Sequence, residues 1–153
     1  MTKNLDKEGL NSIVDNYQLF YIDLWGVVHN GVSLHIEAIK ALKEITKKGK
    51  DFVLLTNAPR PNLVVKSFLE GLGMEKEIRD HVFTSGEVAL IYLRKNLSNK
   101  TFFHVGPPRD FDLFKDFEKM KLKDIEKCEY ILCTGLFDDH DKDLRFYKDL
   151  FEK

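Results

Sequence analysis

The stretch Phe20-Tyr21-Ile22-Asp23-Leu24-Trp25-Gly26-Val27-Val28-His29-Asn30-Gly31 constrains the fold more than any other. Its head, Gln18 to Asp23, is too short for a helix and rich in aromatics, so it reads as a buried strand. The strand delivers one carboxylate, Asp23, to its C-terminal tip, where glycines permit a tight loop. An unpaired acid at the mouth of an apolar strand is poorly placed for stability, because burying a lone charge is costly. Two readings stay open on this stretch alone. Asp23 is either placed for chemistry, or it caps a turn at the start of a loop.

A second strand, Asp51 to Thr56 (DFVLLT), is a near-continuous apolar run, as expected for a parallel strand covered on both faces. It ends in Thr56-Asn57-Ala58-Pro59-Arg60-Pro61. Between the two strands, Ile36, Ile39, Leu42 and Ile45 predict a helix, with Ser33 as N-cap and Gly49 as the C′ residue. Lys47, Lys48 and Lys50 at its end read as a solvated helix terminus. Ahead of the first strand, Leu10, Ile13, Val14 and Tyr17 predict a lead-in helix over 6–17.

The alternation continues to the end. Pro61 opens a helix with Val64, Val65, Phe68, Leu69 and Leu72 inward. A short strand, His81 to Thr84, precedes a helix capped by Ser85, with Val88, Ala89, Tyr92 and Leu93 on one face. Thr101 to Val105 is a strand closed by Gly106-Pro107-Pro108, followed by a charged helical segment with Phe111, Leu113, Phe114 and Phe117. Tyr130 to Thr134 is a fifth strand, and His140 to Glu152 a last helix with Leu144, Tyr147 and Phe151 inward. This order predicts an α/β fold, a Rossmann-like parallel sheet with helices on both faces. The stretch Asn96 to Lys100 is the expected boundary, dividing the chain into 1–98 and 99–153.

With 24 basic against 25 acidic residues, the chain lacks the basic excess that a nucleic acid or membrane surface would favour. No apolar run approaches a membrane span, and the polar N-terminus has no signal-peptide core, so a cytoplasmic location is expected. Twelve Phe against one Trp imply a Phe-rich core. Cys128 and Cys133, in or beside one strand, read as reduced, buried small hydrophobes. The histidines show no zinc spacing, and neither a P-loop nor a dinucleotide fingerprint is present. Ser85-Gly86 could meet a phosphate at a helix N-terminus, but an ordinary cap is the preferred reading.

In a parallel sheet the carboxyl ends of neighbouring strands open onto one crevice. A right-handed β-α-β crossover therefore brings Asp23, Thr56 and Asn57 to a common rim, with free backbone N–H groups expected from Leu24 to Gly26. Such a set suits phosphate: the carboxylate as nucleophile, the hydroxyl and amides on the phosphoryl oxygens. Carboxylate against phosphate is repulsive without a cation, so the arrangement calls for Mg²⁺.

DLWGVVHNG, with LLTNAPR after one helix, resembles the first two motifs of the haloacid dehalogenase (HAD) superfamily, and most of all its class IIA branch of NagD-like and 4-nitrophenylphosphatase-like enzymes. HVFTSGEVA, FFHVGPP and YILCTGLFDD resemble the end of the first core segment and the start of that branch's α/β cap. The resemblance implies Asp23 as a nucleophile that forms an aspartyl-phosphate and also ligates Mg²⁺, together with the backbone carbonyl of Trp25. It implies Thr56 on the phosphoryl group with Asn57 beside it, phosphate contacts from Leu24 and Gly26, and a small phosphorylated metabolite as substrate. Homo-oligomerisation is left open.

Two departures qualify that expectation. The family's general acid–base Asp stands two residues after the nucleophile, where this chain has Trp25; losing such a group typically costs about 10²–10⁴-fold. His29 is a conceivable substitute, although a loop histidine packed or bonded to backbone is the preferred reading. The family's later Lys and acidic Mg²⁺ ligands do not follow, so the chain is expected to be an N-terminal half, weak or inactive alone. Asp138-Asp139-His140-Asp141 as a replacement metal site ranks below an acidic loop and N-cap. The alternative function is a non-catalytic phospholigand-binding or regulatory module on the same fold.

Overall fold

A computed structural model describes residues 5–139 and 142–152. The chain forms two compact units, one of residues up to Ala58 with Asn62–Ser85, the other of Pro59–Pro61 with residues from Gly86 onward. The division thus falls ahead of Asn96–Lys100.

In the first unit a short helix, α1 (Leu5–Glu8), stops at Gly9, whose φ is 66°. Two 3₁₀ turns, Leu10–Ser12 and Val14–Asn16, replace the continuous lead-in helix expected there. Of its predicted face Val14 is buried, while Tyr17 is exposed. Strand β1 (Leu19–Asp23) follows, then α2 (Ile36–Lys47), β2 (Asp51–Thr56), α3 (Asn62–Gly71), α4 (Lys76–Arg79) and β3 (Val82–Thr84). The short α4 had no counterpart in the sequence reading. The strands make a parallel sheet in the order β1-β2-β3. Its register sets Asp23 opposite Leu55, Leu55 opposite Phe83, and Thr56 opposite Thr84.

The core of this unit lies on one face of the sheet. Phe52, Leu54 and Val82 meet Leu42 and Ile45 of α2 and Val65 and Leu69 of α3, with Leu24 and Val28 from the loop after β1. The β-pleat explains the selection: alternate residues point to opposite faces. Here the expected burial of β1 and β2 on both faces does not hold. Tyr21 and Leu55, on the other face, are exposed. Ile36 and Phe68, expected inward, are also exposed. The expected cap also differs. The N-cap of α2 is His35, without a side-chain bond, because Ser33 is drawn into a turn with Asn30, whose Oδ1 accepts from the Val32 and Ser33 amides. Gly49 ends α2 as predicted, with φ 67°.

The second unit contains most of α5 (Ser85–Asn96), then β4 (Phe102–Val105) and β5 (Tyr130–Cys133), which pair in parallel, and α6 (Leu144–Phe151). The Phe-rich segment between the strands winds as 3₁₀ turns over Pro108–Leu113 and Lys115–Met120. Its core is Leu90, Leu93, Phe102, Leu113, Phe114 and Phe117, so the predicted Phe-rich packing is found here. Val88 and Tyr92 of α5 and Leu144 of α6, expected inward, are exposed. Cys128 is half-buried and Cys133 exposed, both free, rather than buried as expected. Among the described residues no helix is long and apolar enough to cross a membrane.

Candidate active site

The apolar alternation of β1 ends at Asp23, and the loop that follows is wound tightly around a single carbonyl. Leu24, itself buried, accepts from the amides of Val27 (3.3 Å), Val28 (2.9 Å) and His29 (3.2 Å). Gly26, with φ 77°, makes the bend that lets its own amide reach the His29 carbonyl at 2.8 Å. The Leu24 amide donates to Asp23 Oδ1 at 2.8 Å. Two of the amides expected to be free for an anion are therefore engaged: Leu24 with Asp23, and Gly26 with His29.

Asp23 is exposed, and its Oδ2 makes no hydrogen bond among the described residues. Thr56 is buried at the end of β2, where Oγ1 accepts from the Ala58 amide at 3.3 Å. That bond leaves the hydroxyl proton available to an outside acceptor. Asn57 follows on the surface. Asp23 and Thr56 thus share the carboxyl rim of adjacent strands. Their side chains leave the sheet on opposite faces, because Asp23 is level with Leu55 and Thr56 is one residue further on. The two make no direct hydrogen bond.

Trp25 is 64% exposed, and its ring edge meets His29 with centroids 5.5 Å apart. His29 is buried between Trp25 and Phe68, and its Nδ1 accepts from the Gly31 amide at 3.0 Å. An accepting Nδ1 fixes the neutral ring with its proton on Nε2. Burial pushes the ring's pKa below its ordinary value, His35 pushes the same way, and Asp23 opposes them. This favours the backbone-bonded, packed reading of His29.

Mg²⁺ commonly takes one or two protein carboxylates and completes its shell with water and substrate phosphate. Asp23 offers a carboxylate with acceptor capacity beyond its bond from the Leu24 amide, and the Trp25 carbonyl accepts no hydrogen bond among the described residues. That donor pair fits such an ion. Elsewhere the described residues hold no group of three His, Cys, Asp or Glu able to bind a metal. Asp138 pairs with Arg109, Asp139 with Lys142, and Asp143 caps α6 through the Phe146 amide, so the acidic segment behaves as loop and cap. His140 and Asp141 lie outside the described residues. Ser85 is the first residue of α5 rather than its cap, and its Oγ donates to the Ala58 carbonyl. The neighbouring Gly86 is needed for close approach: a Cβ there would stand 2.2 Å from the Arg60 backbone nitrogen. Arg60, missed in the sequence, faces the buried Asp110 at 3.9 Å.

A parallel sheet with a carboxylate at the end of one strand and a hydroxyl at the end of the next defines a Rossmann-like α/β domain with its ligand rim at the carboxyl edge. Residues 20–119 match the profile of the family described as Haloacid dehalogenase-like hydrolase, and the chain belongs to that family. Among solved structures it resembles a haloacid dehalogenase-like hydrolase from Brucella suis 1330, with 31% identity and a TM-score of 0.77 over 94% of this chain and 52% of that one. It resembles a 4-nitrophenylphosphatase from Thermotoga maritima at 25% identity and TM-score 0.58, over 89% and 50%. The fold also matches a glycerol phosphate phosphatase from Mycobacterium tuberculosis, solved in complex with magnesium, at 17% identity and TM-score 0.57 over 90% and 41%. The chain therefore spans about half the length of these relatives or less. Among curated proteins, none matches it.

Proposed function

We propose that Asp23 is the nucleophile of a Mg²⁺-dependent phosphohydrolase site that acts on a small phosphorylated metabolite through an aspartyl-phosphate. The observation that carries this reading is an exposed carboxylate with one unbonded oxygen at the rim of a parallel sheet, in a chain of this family. The phosphatase relatives support the substrate class.

In this reading the Leu24 amide orients the carboxylate through Oδ1, and Oδ2 attacks phosphorus. A phosphorus–oxygen bond forms as the bond to the leaving alcohol breaks, and the alcohol oxygen takes its proton from water, because Trp25 has none to give. Thr56 donates its hydroxyl to a phosphoryl oxygen, and the Asn57 amide supplies a second donor. Water then hydrolyses the acyl phosphate, releasing inorganic phosphate and restoring Asp23. Asp23, through the oxygen not used in attack, and the Trp25 carbonyl would hold Mg²⁺, which would supply neutralisation of the phosphate charge. Residues 99–153 belong to the start of a cap in this reading, and the setting is the cytoplasm. Turnover by this polypeptide alone is weak or absent, since Trp25 stands where the family's acid–base Asp would be.

The test is hydrolysis of a panel of phosphate esters with Mg²⁺, run beside Asp23→Asn. Turnover by the chain and its loss in the variant are expected; equal turnover by both sinks the assignment. Trp25 also favours a second reading, a phospholigand-binding module without catalysis. Saturable calorimetric binding of a phosphate analogue with no turnover would select it.

A further inference from the structure

Trp25 is the chain's one tryptophan, and it stands 64% exposed two residues past Asp23. An aromatic ring left in water contributes little to stability, since its worth lies in the area it buries. This ring is nevertheless held in place. The His29 ring meets it nearly at right angles, at 87°. His29 is itself buried and anchored, its Nδ1 accepting from the Gly31 amide. Gly31 lies at the rim of the six-membered ring, nearest Cη2 and Cζ3. The backbone below is fixed by the amides that converge on the Leu24 carbonyl and by the Gly26 amide on the His29 carbonyl. Val27 and Val32 of the same loop are exposed as well. A tightly bonded loop beside the carboxylate thus presents apolar surface to water. An aromatic surface ordered in advance binds a partner without the entropy cost of ordering it.

The same side chain withholds a proton. Indole carries only its N–H and does not protonate a leaving oxygen. Without a positioned acid the leaving group departs as an anion, which favours groups that spread the charge over a conjugated system. Such groups are planar, and planar rings stack on indole. The exposure of Trp25 and its lack of acid chemistry therefore select the same partner. We propose that Trp25 is a specificity-determining residue whose exposed indole receives the planar, conjugated leaving group of an aryl phosphate. This rests on Asp23 as the phosphoryl acceptor. In the step, Asp23 Oδ2 bonds to phosphorus, and the bond from phosphorus to the aryl oxygen breaks with its electron pair on that oxygen. The aryloxide then takes a proton from water. An alkyl phosphate offers neither the flat face nor the stabilised anion.

The test reads binding, with two phosphonates whose phosphorus–carbon bond is not hydrolysed. 4-Nitrophenylphosphonate and propylphosphonate are titrated calorimetrically into the chain with Mg²⁺. The aryl probe should bind about tenfold more tightly, the order of magnitude of one stacking contact. It should also quench the emission of Trp25 saturably, and the alkyl probe should not. Trp25→Leu should bring the ratio of the two affinities close to unity, and Trp25→Phe should keep most of it. The ratio is internal to each variant, so a general loss of stability does not imitate the effect. If Trp25→Leu does not fold, the ratio and the quenching in the unsubstituted chain decide. Equal affinities for the two probes there, or a ratio that Trp25→Leu leaves unchanged, overturns the proposal and leaves the Asp23 assignment to its own turnover test. Binding of neither probe removes the phosphate site, and the proposal with it.

Discussion

The indole of Trp25 lies against Gly31, so that a Cβ on Gly31 would stand 2.7 Å from Cη2 and 2.8 Å from Cζ3 of the ring. Gly31 also holds φ 89°, a conformation that costs other residues about 1–2 kcal/mol. Gly31→Ala should therefore destabilise the chain by about 1–3 kcal/mol, from backbone strain and displacement of the indole together. Urea unfolding measures it. Adding Trp25→Ala should restore only the steric part. Complete restoration would show that the backbone carries no strain.

In the proposed reading Trp25 stands where the family's acid–base Asp would be, and this gives a gain-of-function expectation. Trp25→Asp should raise Mg²⁺-dependent hydrolysis of an alkyl phosphate by about 10²-fold or more, the low end of what a positioned acid–base supplies. The gain should be smaller for 4-nitrophenyl phosphate, whose leaving group needs little protonation. Trp25→Ala serves as the control for loss of the indole contacts with His29 and Gly31. Equal rates in the two variants would remove the acid–base account.

Much of this fold was legible because single segments carried their own signals. DFVLLT, bounded by Lys50 and Asn57, could only be a strand, and β2 runs over those same residues. Gly49 ended α2 because a left-handed residue was needed there. Asp23 and Thr56 reach the carboxyl rim because β-α-β connectivity leaves few alternatives. What the sequence hid depends on contacts between segments. Tyr21 and Leu55 look like core residues in any window, since hydrophobicity does not say whether a layer exists to cover them. Asn30 and Ser33 are both able to organise the turn, and their competition is settled in three dimensions in favour of Asn30. The Leu24 and Gly26 amides seemed free because nothing in the sequence showed that Asp23 and the His29 carbonyl would claim them. Gly86 and Gly31 were visible as glycines, but their reasons, the Arg60 backbone and the Trp25 ring, lie elsewhere in the chain.

His104 sets a pH limit on the second unit. It is buried on β4, its Nε2 lies 2.9 Å from Thr134 Oγ1, and its pKa falls from 6.5 to about 4. Burial is the main cause, Lys121 adds to it, and Asp110 opposes. The unfolded chain protonates this ring near pH 6.5 while the folded chain resists until about pH 4. Its contribution to stability is therefore fully present above 6.5, declines as pH falls through that window, and levels off below about 4. The melting temperature should drop by a few degrees across the window, and His104→Gln should flatten that part of the profile. A profile unchanged by the substitution would mean that other groups govern the acid limb.

Gly106 closes the same corner by having no side chain. A Cβ there would stand 2.1 Å from Thr134 Oγ1 and 2.9 Å from His104 Nε2, and its φ of 152° is one that other residues rarely adopt. Gly106→Ala must push apart the His104–Thr134 hydrogen bond or shift the chain after β4 against β5. Overpacking and backbone strain each cost roughly 1–3 kcal/mol, so the variant should lose about 2–6 kcal/mol. Removing the obstructing hydroxyl tests which term dominates. Gly106→Ala combined with Thr134→Gly should recover the steric share and leave the backbone share, as read by urea midpoints at constant slope. Because both residues lie in the second unit, amide exchange should rise in β4 and β5 while the sheet that carries Asp23 keeps its protection. Equal loss of protection in both sheets would show instead that the two units unfold as one.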